Sequence, residues 1–268
     1  MADFDYWKKQ KKQPLFPNVD TWQPEQRRFA GKLLIIGGNR GAFFAVAKAM
    51  ETANKMGVGD VRALLPDSLR GKLPKVPEIY YAKAEASGAF GKSAIQEMLL
   101  QTEWAEMVLI VGDLGKNAET SIAFAKYMKL CDKPVFVVRD GVDVLTPDIM
   151  NWSMREVPMT VFATMSQLQK MLRTMYYPKV ITLSMPMNQL IETLHKFTLS
   201  YALTIVTFHE GQIVIAHDGQ VISEEIGDTD YTQITLWEGG LQARAAVLSL
   251  WNREFASEQV IARAILKD

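Results

Sequence analysis

Two glycine turns, each placed directly after a short apolar run, constrain the fold of this chain more than any other feature. The first run and turn are residues 32–41 (KLLIIGGNRG), and the second are residues 107–115 (MVLIVGDLG). Both are followed by apolar residues at helical spacing. At a strand-to-helix turn, glycine lets backbone N–H groups face an anion at the helix N-terminus. The two turns predict one nucleotide or phosphate cleft at the carboxyl edge of a sheet.

Strands and helices are predicted to alternate from Lys32 onward. Most strand candidates are unbroken runs of Val, Ile, Leu and Phe, which are typical of parallel strands covered on both faces. Alternation of this kind predicts a mostly parallel sheet with helices on both sides. The predicted strands are 32–37, 60–65, 78–82, 107–112, 134–139, 158–163, 179–184 and 203–208, and the predicted helices between them are 42–56, 91–104, 117–130, 165–175 and 187–198.

The pattern changes in the C-terminal part of the chain. Residues 204–222 predict three short strands, because hairpin turns are indicated at Glu210-Gly211 and Asp218-Gly219. An antiparallel edge is therefore expected to close the sheet. Two further helices are predicted at 239–252 and 257–266.

The chain is predicted to consist of an arm and one domain. Residues 1–31 mix aromatic side chains with Lys, Gln and Pro, and they predict an irregular arm that packs against the body or a neighbouring subunit. Residues 32–268 contain no linker rich in Gly, Pro or Ser. They are predicted to form a single α/β domain, which their length allows.

Composition and charge exclude several classes of function. The 268 residues carry 30 basic and 30 acidic side chains, which leaves no basic excess to neutralise nucleic-acid phosphates. No apolar run approaches the roughly 20 residues of a membrane helix. The single cysteine, Cys131, excludes an intramolecular disulfide, fits a reducing cytoplasm and is expected to be buried. Together with three scattered histidines it forms no zinc pattern, so no metal ligands are predicted.

Three segments occur in the order found in a known family. Residues 32–41 end in Gly-Gly-Asn-Arg-Gly, residues 110–115 read IVGDLG, and residues 133–145 read KPVFVVRDGVDVL. They resemble the Gly-Gly-Ser-Arg-Gly, Gly-Pro-Gly-Leu-Gly and Asp-Ala-Asp-Ala-Leu segments of the ADP- or ATP-dependent NAD(P)H-hydrate dehydratases. The resemblance implies a ribokinase-like, three-layer α/β/α fold with a mostly parallel sheet. It also implies ADP or ATP as a cofactor, with or without Mg²⁺, and a homo-oligomer.

Two departures from this family lie further along the chain. The histidine and glutamate of the family's Thr-Pro-His-Pro-Gly-Glu segment are missing from residues 182–188 (TLSMPMN). The family's Gly-Gly-Thr-Gly-Asp signature, whose aspartate is the catalytic acid and base, is reduced in residues 235–245 (TLWEGGLQARA) to its two glycines. Leu241 or Ala243 occupies the aspartate position, and neither can transfer a proton. The resemblance therefore implies a divergent member with a lost catalytic motif.

The candidate ligand-binding residues lie in the three glycine segments. Their alternative interpretation is a set of tight strand-to-helix connections without a ligand. Lys116 and Asn117 either meet a phosphate or are exposed and screened by solvent. The residues predicted to hold a nucleotide are Gly37, Gly38, Asn39, Arg40, Gly41, Gly112, Leu114, Gly115, Lys116, Asn117, Gly239 and Gly240.

Three carboxylates are candidates for a substituted acid or base. Asp113 stands where the family has proline, and it either holds Mg²⁺ or, as we favour, caps the helix that starts near Asn117. Asp140 ends a strand at the predicted cleft, where it is either functional or part of an ordinary Asp-Gly turn. Glu238 precedes the third pair of glycines and is expected to cap the following helix.

Three functions remain open at this point. The first is a divergent, NAD(P)H-hydrate dehydratase-like (carbohydrate kinase-like) pseudoenzyme of the cytoplasm that binds a nucleotide or an NAD(P)H-derived molecule. The second is an active, nucleotide-dependent dehydratase or small-molecule kinase that uses one of the substituted acids. The third is a structural homo-oligomer without a ligand. No nucleic-acid or membrane partner is expected.

Overall fold

A computed structural model describes residues 5–226 and 237–265, which form one mixed sheet with helices on both faces. The ten strands lie in the order β1-β10-β9-β8-β7-β6-β5-β2-β3-β4. Only the β8–β9 and β9–β10 pairs are antiparallel among the described strands, so the predicted antiparallel edge is confirmed. The strands are β1 (Trp7–Gln10), β2 (Lys32–Gly37), β3 (Asp60–Pro66), β4 (Ile79–Ala82), β5 (Met107–Gly112), β6 (Val135–Val138), β7 (Met159–Phe162), β8 (Leu203–His209), β9 (Gln212–His217) and β10 (Gln220–Glu225).

The helices divide into two layers, which confirms the predicted three-layer α/β/α architecture. One layer contains α1, α8 and α9, and the other contains α2 to α7, and each packs on its own apolar cluster across the sheet. The described helices are α1 (Phe44–Met56), α2 (Ile95–Trp104), α3 (Ala118–Leu130), α4 (Asp140–Leu145), α5 (Ile149–Trp152), α6 (Met165–Thr174), α7 (Met187–Ser200), α8 (Gly240–Trp251) and α9 (Ser257–Ile265). The last residue of the helix predicted at 257–266 lies outside the described residues.

The central strands are apolar throughout because both of their faces are covered. Every residue of β5, β6 and β7 is buried. Burial of an apolar side chain stabilises the folded protein by about 1.5–3 kcal/mol. Strands made of such unbroken apolar runs are therefore most stable in the middle of the sheet, where both faces are covered. The same burial extends to Cys131 at the end of α3, as expected.

The prediction of a strand at residues 179–184 is wrong. These residues form turns and irregular backbone between α6 and α7. Ile181 is buried, but Val180 and Leu183 are 68% and 71% exposed. A single inward-facing side chain gives the segment too little apolar burial to enter the sheet, although its composition favours a strand.

The N-terminal arm is also more regular than predicted. Residues 7–10 form the edge strand β1, which pairs in parallel with β10. The side-chain amide of Gln10 is buried and donates to Glu224 and to the carbonyl of Ala262, both at 2.7 Å. These bonds join the start of the chain to β10 and α9, while residues 1–4 lie outside the described part of the chain.

Candidate functional site

The two glycine turns lie side by side at the carboxyl edge of the sheet. The chain runs outward from β2 to β4 and then returns to β5, which pairs with β2 so that Gly37 is opposite Gly112. The strands that follow extend the sheet in the other direction. Such a reversal of strand order leaves a crevice beyond the strand ends, where ligands of open α/β sheets bind. The sequence therefore predicted correctly that the two turns lie together at the carboxyl edge of the sheet.

The backbone amides of the first turn are used within the protein. Each N–H group from residue 38 to residue 42 donates to an acceptor of the chain itself. The amide of Gly38 donates to Gly112 at 3.0 Å, and that of Arg40 donates to Gly88 at 2.9 Å. The other three donate to Asn39 or Ala42. A phosphate bound here would therefore have to be held by side chains rather than by these amides.

The carboxylate of Asp113 occupies the crevice between the two turns. Asp113 is only 8% exposed. Its Oδ2 accepts from the amide of Ala45 at 3.0 Å, and its Oδ1 pairs with Arg139 at 2.8 Å. The expectation that Asp113 caps the helix near Asn117 is wrong, because Asp113 binds the first turn of α1. Asn117 caps α3 itself by accepting from Thr120 at 2.7 Å.

A second carboxylate, that of Asp140, binds the second glycine turn. Its Oδ2 accepts from the amides of Leu114 and Gly115 at 2.9 and 3.2 Å. Its Oδ1 is buried and has no hydrogen-bond partner among the described residues. Burial raises the pKa of Asp140, and the nearby charge of Asp113 raises it further, against the opposing effect of the two amides. Asp140 is also the first residue of α4 rather than part of an isolated turn.

The third pair of glycines starts α8 behind the same crevice. Gly239 has a φ of 101°, and a Cβ there would approach Val111 to 2.8 Å and the carbonyl of Ala45 to 2.9 Å. Leu241 is buried, as is Ala243, so this end of the helix carries no acid. Glu238 makes no hydrogen bond with the described residues of α8, and the expectation that it caps this helix is wrong.

An open cavity of about 630 Å³ lies over the carboxyl ends of β5 to β7. Its wall contains the cationic side chains of Lys116, Arg139 and Lys170, and the indole of Trp237 forms another part of it. Its remaining lining residues are Asp140, Asp143, Thr164, Ser166 and Gln167. A neighbouring cavity of about 310 Å³ shares Trp237, Thr164 and Ser166 and adds the apolar side chains of Phe208 and Leu183.

Most of the polar groups in the larger cavity are already paired. Lys170 lies 3.3 Å from Asp143, and Arg139 pairs with Asp113, as described above. Lys116 is exposed and forms no ion pair with any described residue, which leaves it as the cation most available to an anion. No three acidic, histidine or cysteine side chains meet as a metal site within residues 5–226 and 237–265.

Helix α6 also contributes to this cavity, which was not predicted from the sequence. Thr164 and Gln167 form a capping box, in which each side chain satisfies a backbone amide at the start of α6. The side-chain amide of Gln167 also donates, from Nε2, to the backbone carbonyl of Arg139 at 2.7 Å. The Thr-x-x-Gln spacing after a predicted strand was the available signal, because the carboxyl end of β7 adjoins that of β6.

The fold is that of the ribokinase-like proteins. A ribokinase-like superfamily protein from Enterococcus faecalis is 16% identical over 99% of this chain and 87% of its own, with a TM-score of 0.66. An ADP/ATP-dependent NAD(P)H-hydrate dehydratase from Bacillus subtilis, co-crystallised with ATP and Mg²⁺, is 14% identical over 94% of this chain and 86% of its own, with a TM-score of 0.57. A pyridoxal kinase from the same species, in complex with ADP, is 15% identical over 88% of each chain, with a TM-score of 0.54.

These similarities concern the fold, and they do not extend to a family. No protein-family model and no curated protein sequence matches this chain. Within the described residues, no helix is both long and apolar enough to cross a membrane.

Proposed function

We propose that this chain binds a phosphate-bearing small molecule, of the nucleotide class, in the open cavity over β5 to β7, and that it has little dehydratase activity. The proposal depends most on one observation, which is that Lys116, a cation without an ion-pair partner among the described residues, lines a cavity beside a helix start without an acid. Lys116 supplies positive charge for a phosphate, and Trp237 supplies an aromatic surface for a base or other ring. The solved dehydratase and pyridoxal kinase with the same fold were crystallised with ATP/Mg²⁺ and with ADP.

The lack of an acid at α8 argues against the dehydratase reaction. In the dehydratases that the sequence resembles, the catalytic aspartate stands at the position of Leu241 or Ala243. Both are buried apolar residues here, and neither side chain can give or take a proton. The chain therefore fits a divergent, binding-only role better than an active one.

Calorimetric titration with ADP, ATP and NADH, each with and without Mg²⁺, tests this proposal. We expect binding of one nucleotide by the wild-type protein and about five- to tenfold weaker binding by Lys116→Ala, because a charged hydrogen bond is lost. Lys126→Ala is the matched control, since Lys126 is an exposed residue of α3. Absence of binding to every nucleotide, or an equal effect of both variants, would contradict the proposal.

An active enzyme that uses Asp140 is the second candidate. It is favoured by the unpartnered Oδ1 of Asp140 beside the cavity and by its raised pKa, since a carboxyl with a raised pKa holds its proton to a higher pH and can give it up as a general acid. Conversion of hydrated NADH in the presence of ADP or ATP, lost in Asp140→Asn, would support this candidate. The binding-only role predicts little turnover by the wild-type protein and no further loss in Asp140→Asn.

Self-association is a further proposal. Several large apolar side chains are exposed on the chain, among them Trp22 at 79% and Tyr176 at 92%. Association of two copies of the chain would remove such apolar surface from water. Sedimentation analysis over a range of protein concentrations tests whether the chain forms a homo-oligomer, and a monomer at all concentrations would contradict it.

A further inference from the structure

A separate cavity lies at the opposite edge of the sheet from the proposed nucleotide site. It measures about 320 Å³ and is bounded by the amino ends of β5, β6 and β7, by the end of α8 and by the start of α9. This volume is within the range of small-molecule pockets. Met107, Phe136, Leu250, Phe255 and Val260 give it mainly apolar walls.

The polar side chains of the cavity wall are mostly satisfied within the protein. Asn252 accepts from the amide of Asp20 at 2.9 Å, and it donates to the carbonyls of Asp20 and Leu248 at 2.8 and 3.0 Å. The hydroxyl of Ser249 donates to the carbonyl of Ala245 at 2.8 Å. These groups therefore offer little to a ligand, and the interior favours an apolar body.

One ion pair at the cavity supplies the remaining polar groups. Arg253 donates from Nη2 to Oε2 of Glu106 at 2.5 Å and from Nε to the carbonyl of Leu250 at 3.1 Å. The same Oε2 accepts from the amide of Lys32 at 3.1 Å. Nη1 of Arg253 and Oε1 of Glu106 have no partner among the described residues. The pair therefore presents guanidinium N–H donors on Nη1 and a carboxylate acceptor on Oε1, with its two charges balanced, and the side chains of Arg253 and Glu106 are 58% and 36% exposed.

We propose that this cavity binds a neutral aromatic carboxamide. The ring occupies the apolar interior, the amide oxygen accepts from Nη1 of Arg253, and the amide N–H donates to Oε1 of Glu106. A carboxylate head of the same shape would be repelled by Glu106, and an ammonium head would be repelled by Arg253. The amide alone matches both members of the pair without an unbalanced charge, so the ion pair selects the head group.

Three probes with one aromatic body test this selection. The full-length protein is titrated with 2-naphthamide, 2-naphthoate and 2-naphthylmethylammonium, followed by calorimetry. We expect the amide to bind about tenfold more tightly than either charged probe, since each charged head loses a hydrogen bond and meets a like charge. No binding of the amide, or equal affinity for all three probes, overturns the proposal.

Two single-charge variants locate the binding to this cavity. Glu106→Gln removes the repulsion of the carboxylate probe, and Arg253→Gln removes that of the ammonium probe, so each variant should raise the affinity of one charged probe about tenfold. Glu254→Gln, at an exposed neighbouring position, should change neither. Selectivity that is the same in all four proteins overturns the proposal. An excess of ADP should leave amide binding unchanged, and competition between them would instead assign the probe to the opposite edge of the sheet.

Discussion

Asp113 and Arg139 form a 2.8 Å ion pair in which both residues have a φ of 57°. Arg139 combines this φ with a ψ of −136°. Residues other than glycine rarely adopt this backbone conformation. Such backbone conformations cost about 1–3 kcal/mol each and persist only where the surroundings stabilise them. The pair joins the end of β5 to the end of β6, and Asp113 also binds α1. The crevice at the reversal of strand order is thus filled by a carboxylate of the chain itself.

Asp113→Ala is expected to lower the free energy of unfolding by about 2 kcal/mol. The substitution removes the acceptor for the first turn of α1 and leaves Arg139 without its partner, and loss of a helix cap alone costs about 1 kcal/mol. Urea denaturation measures the change. Asp132→Ala is the control, because the side chain of Asp132 is 75% exposed and its ion pair with Lys133 is long, at 3.7 Å. Equal destabilisation by the two variants would show that Asp113 has no special role.

Asp140→Asn is expected to change how stability depends on pH. The folded-state pKa of Asp140 is raised above its usual 3.8, so the folded protein favours the protonated carboxyl. The resulting stabilisation is fully present below pH 3.8 and is lost as the pH rises through the raised pKa. Asparagine does not ionise in this range. The stability of Asp140→Asn relative to the wild type should therefore increase with pH over this interval and then level off.

Urea unfolding at a series of pH values from about 3.5 to about 8 measures this difference. Asp132→Asn serves as the control, since it makes the same chemical change at a side chain that is 75% exposed. A relative stability of Asp140→Asn that falls as the pH rises would contradict the raised pKa.

Gln10→Ala is expected to detach β1 from the edge of the sheet. The buried side-chain amide of Gln10 donates a hydrogen bond to Glu224, and burial already raises the pKa of that carboxyl. Removal of the amide leaves a buried acceptor unsatisfied, which costs about 1–3 kcal/mol. Hydrogen exchange should become faster in β1 and β10. Lys9→Ala, at an exposed position of the same strand, should leave both exchange rates unchanged, and identical exchange in the two variants would oppose this role.

The alternation of strands and helices was predictable because it depends on local patterns. Runs such as Met107–Gly112 are apolar at every position, and only a strand covered on both faces buries them completely. The resemblance to a ribokinase-like family then predicted the layers, while the two hairpin turns predicted the antiparallel edge. Residues 179–184 were predicted wrongly because their composition resembles a strand, while burial depends on what surrounds them.

The details of the candidate site were less predictable, because they depend on contacts between distant segments. Asp113 caps a helix 68 positions earlier in the chain, and no local spacing indicates that pairing. Asp140 binds amides 25 and 26 positions away. The two glycine turns meet at the carboxyl edge of the sheet, as predicted. The binding of Asp140 to amides of the second turn, and of Asp113 to the first turn of α1, was visible only once the strands were side by side.

Gly239→Ala is expected to destabilise the protein by about 3 kcal/mol, which is more than a positive φ alone explains. A methyl group at this position would meet Val111 at 2.8 Å and the carbonyl of Ala45 at 2.9 Å, so the start of α8 would have to move away from α1 and β5. Overpacking of this kind costs about 1–3 kcal/mol, and alanine at positive φ costs about 1 kcal/mol more.

Gly71→Ala separates these two effects. Gly71 has a φ of 84°, but no atom lies within 4 Å of the position that a methyl group would take there, so only the backbone cost of about 1 kcal/mol applies. Urea unfolding of both variants measures the difference, which reports the close approach of α8 to the crevice. If Gly239→Ala also lowers the affinity for the nucleotide while Gly71→Ala does not, the proposed site requires α8 in its present position. Equal losses of stability in the two variants would mean that α8 is free to shift.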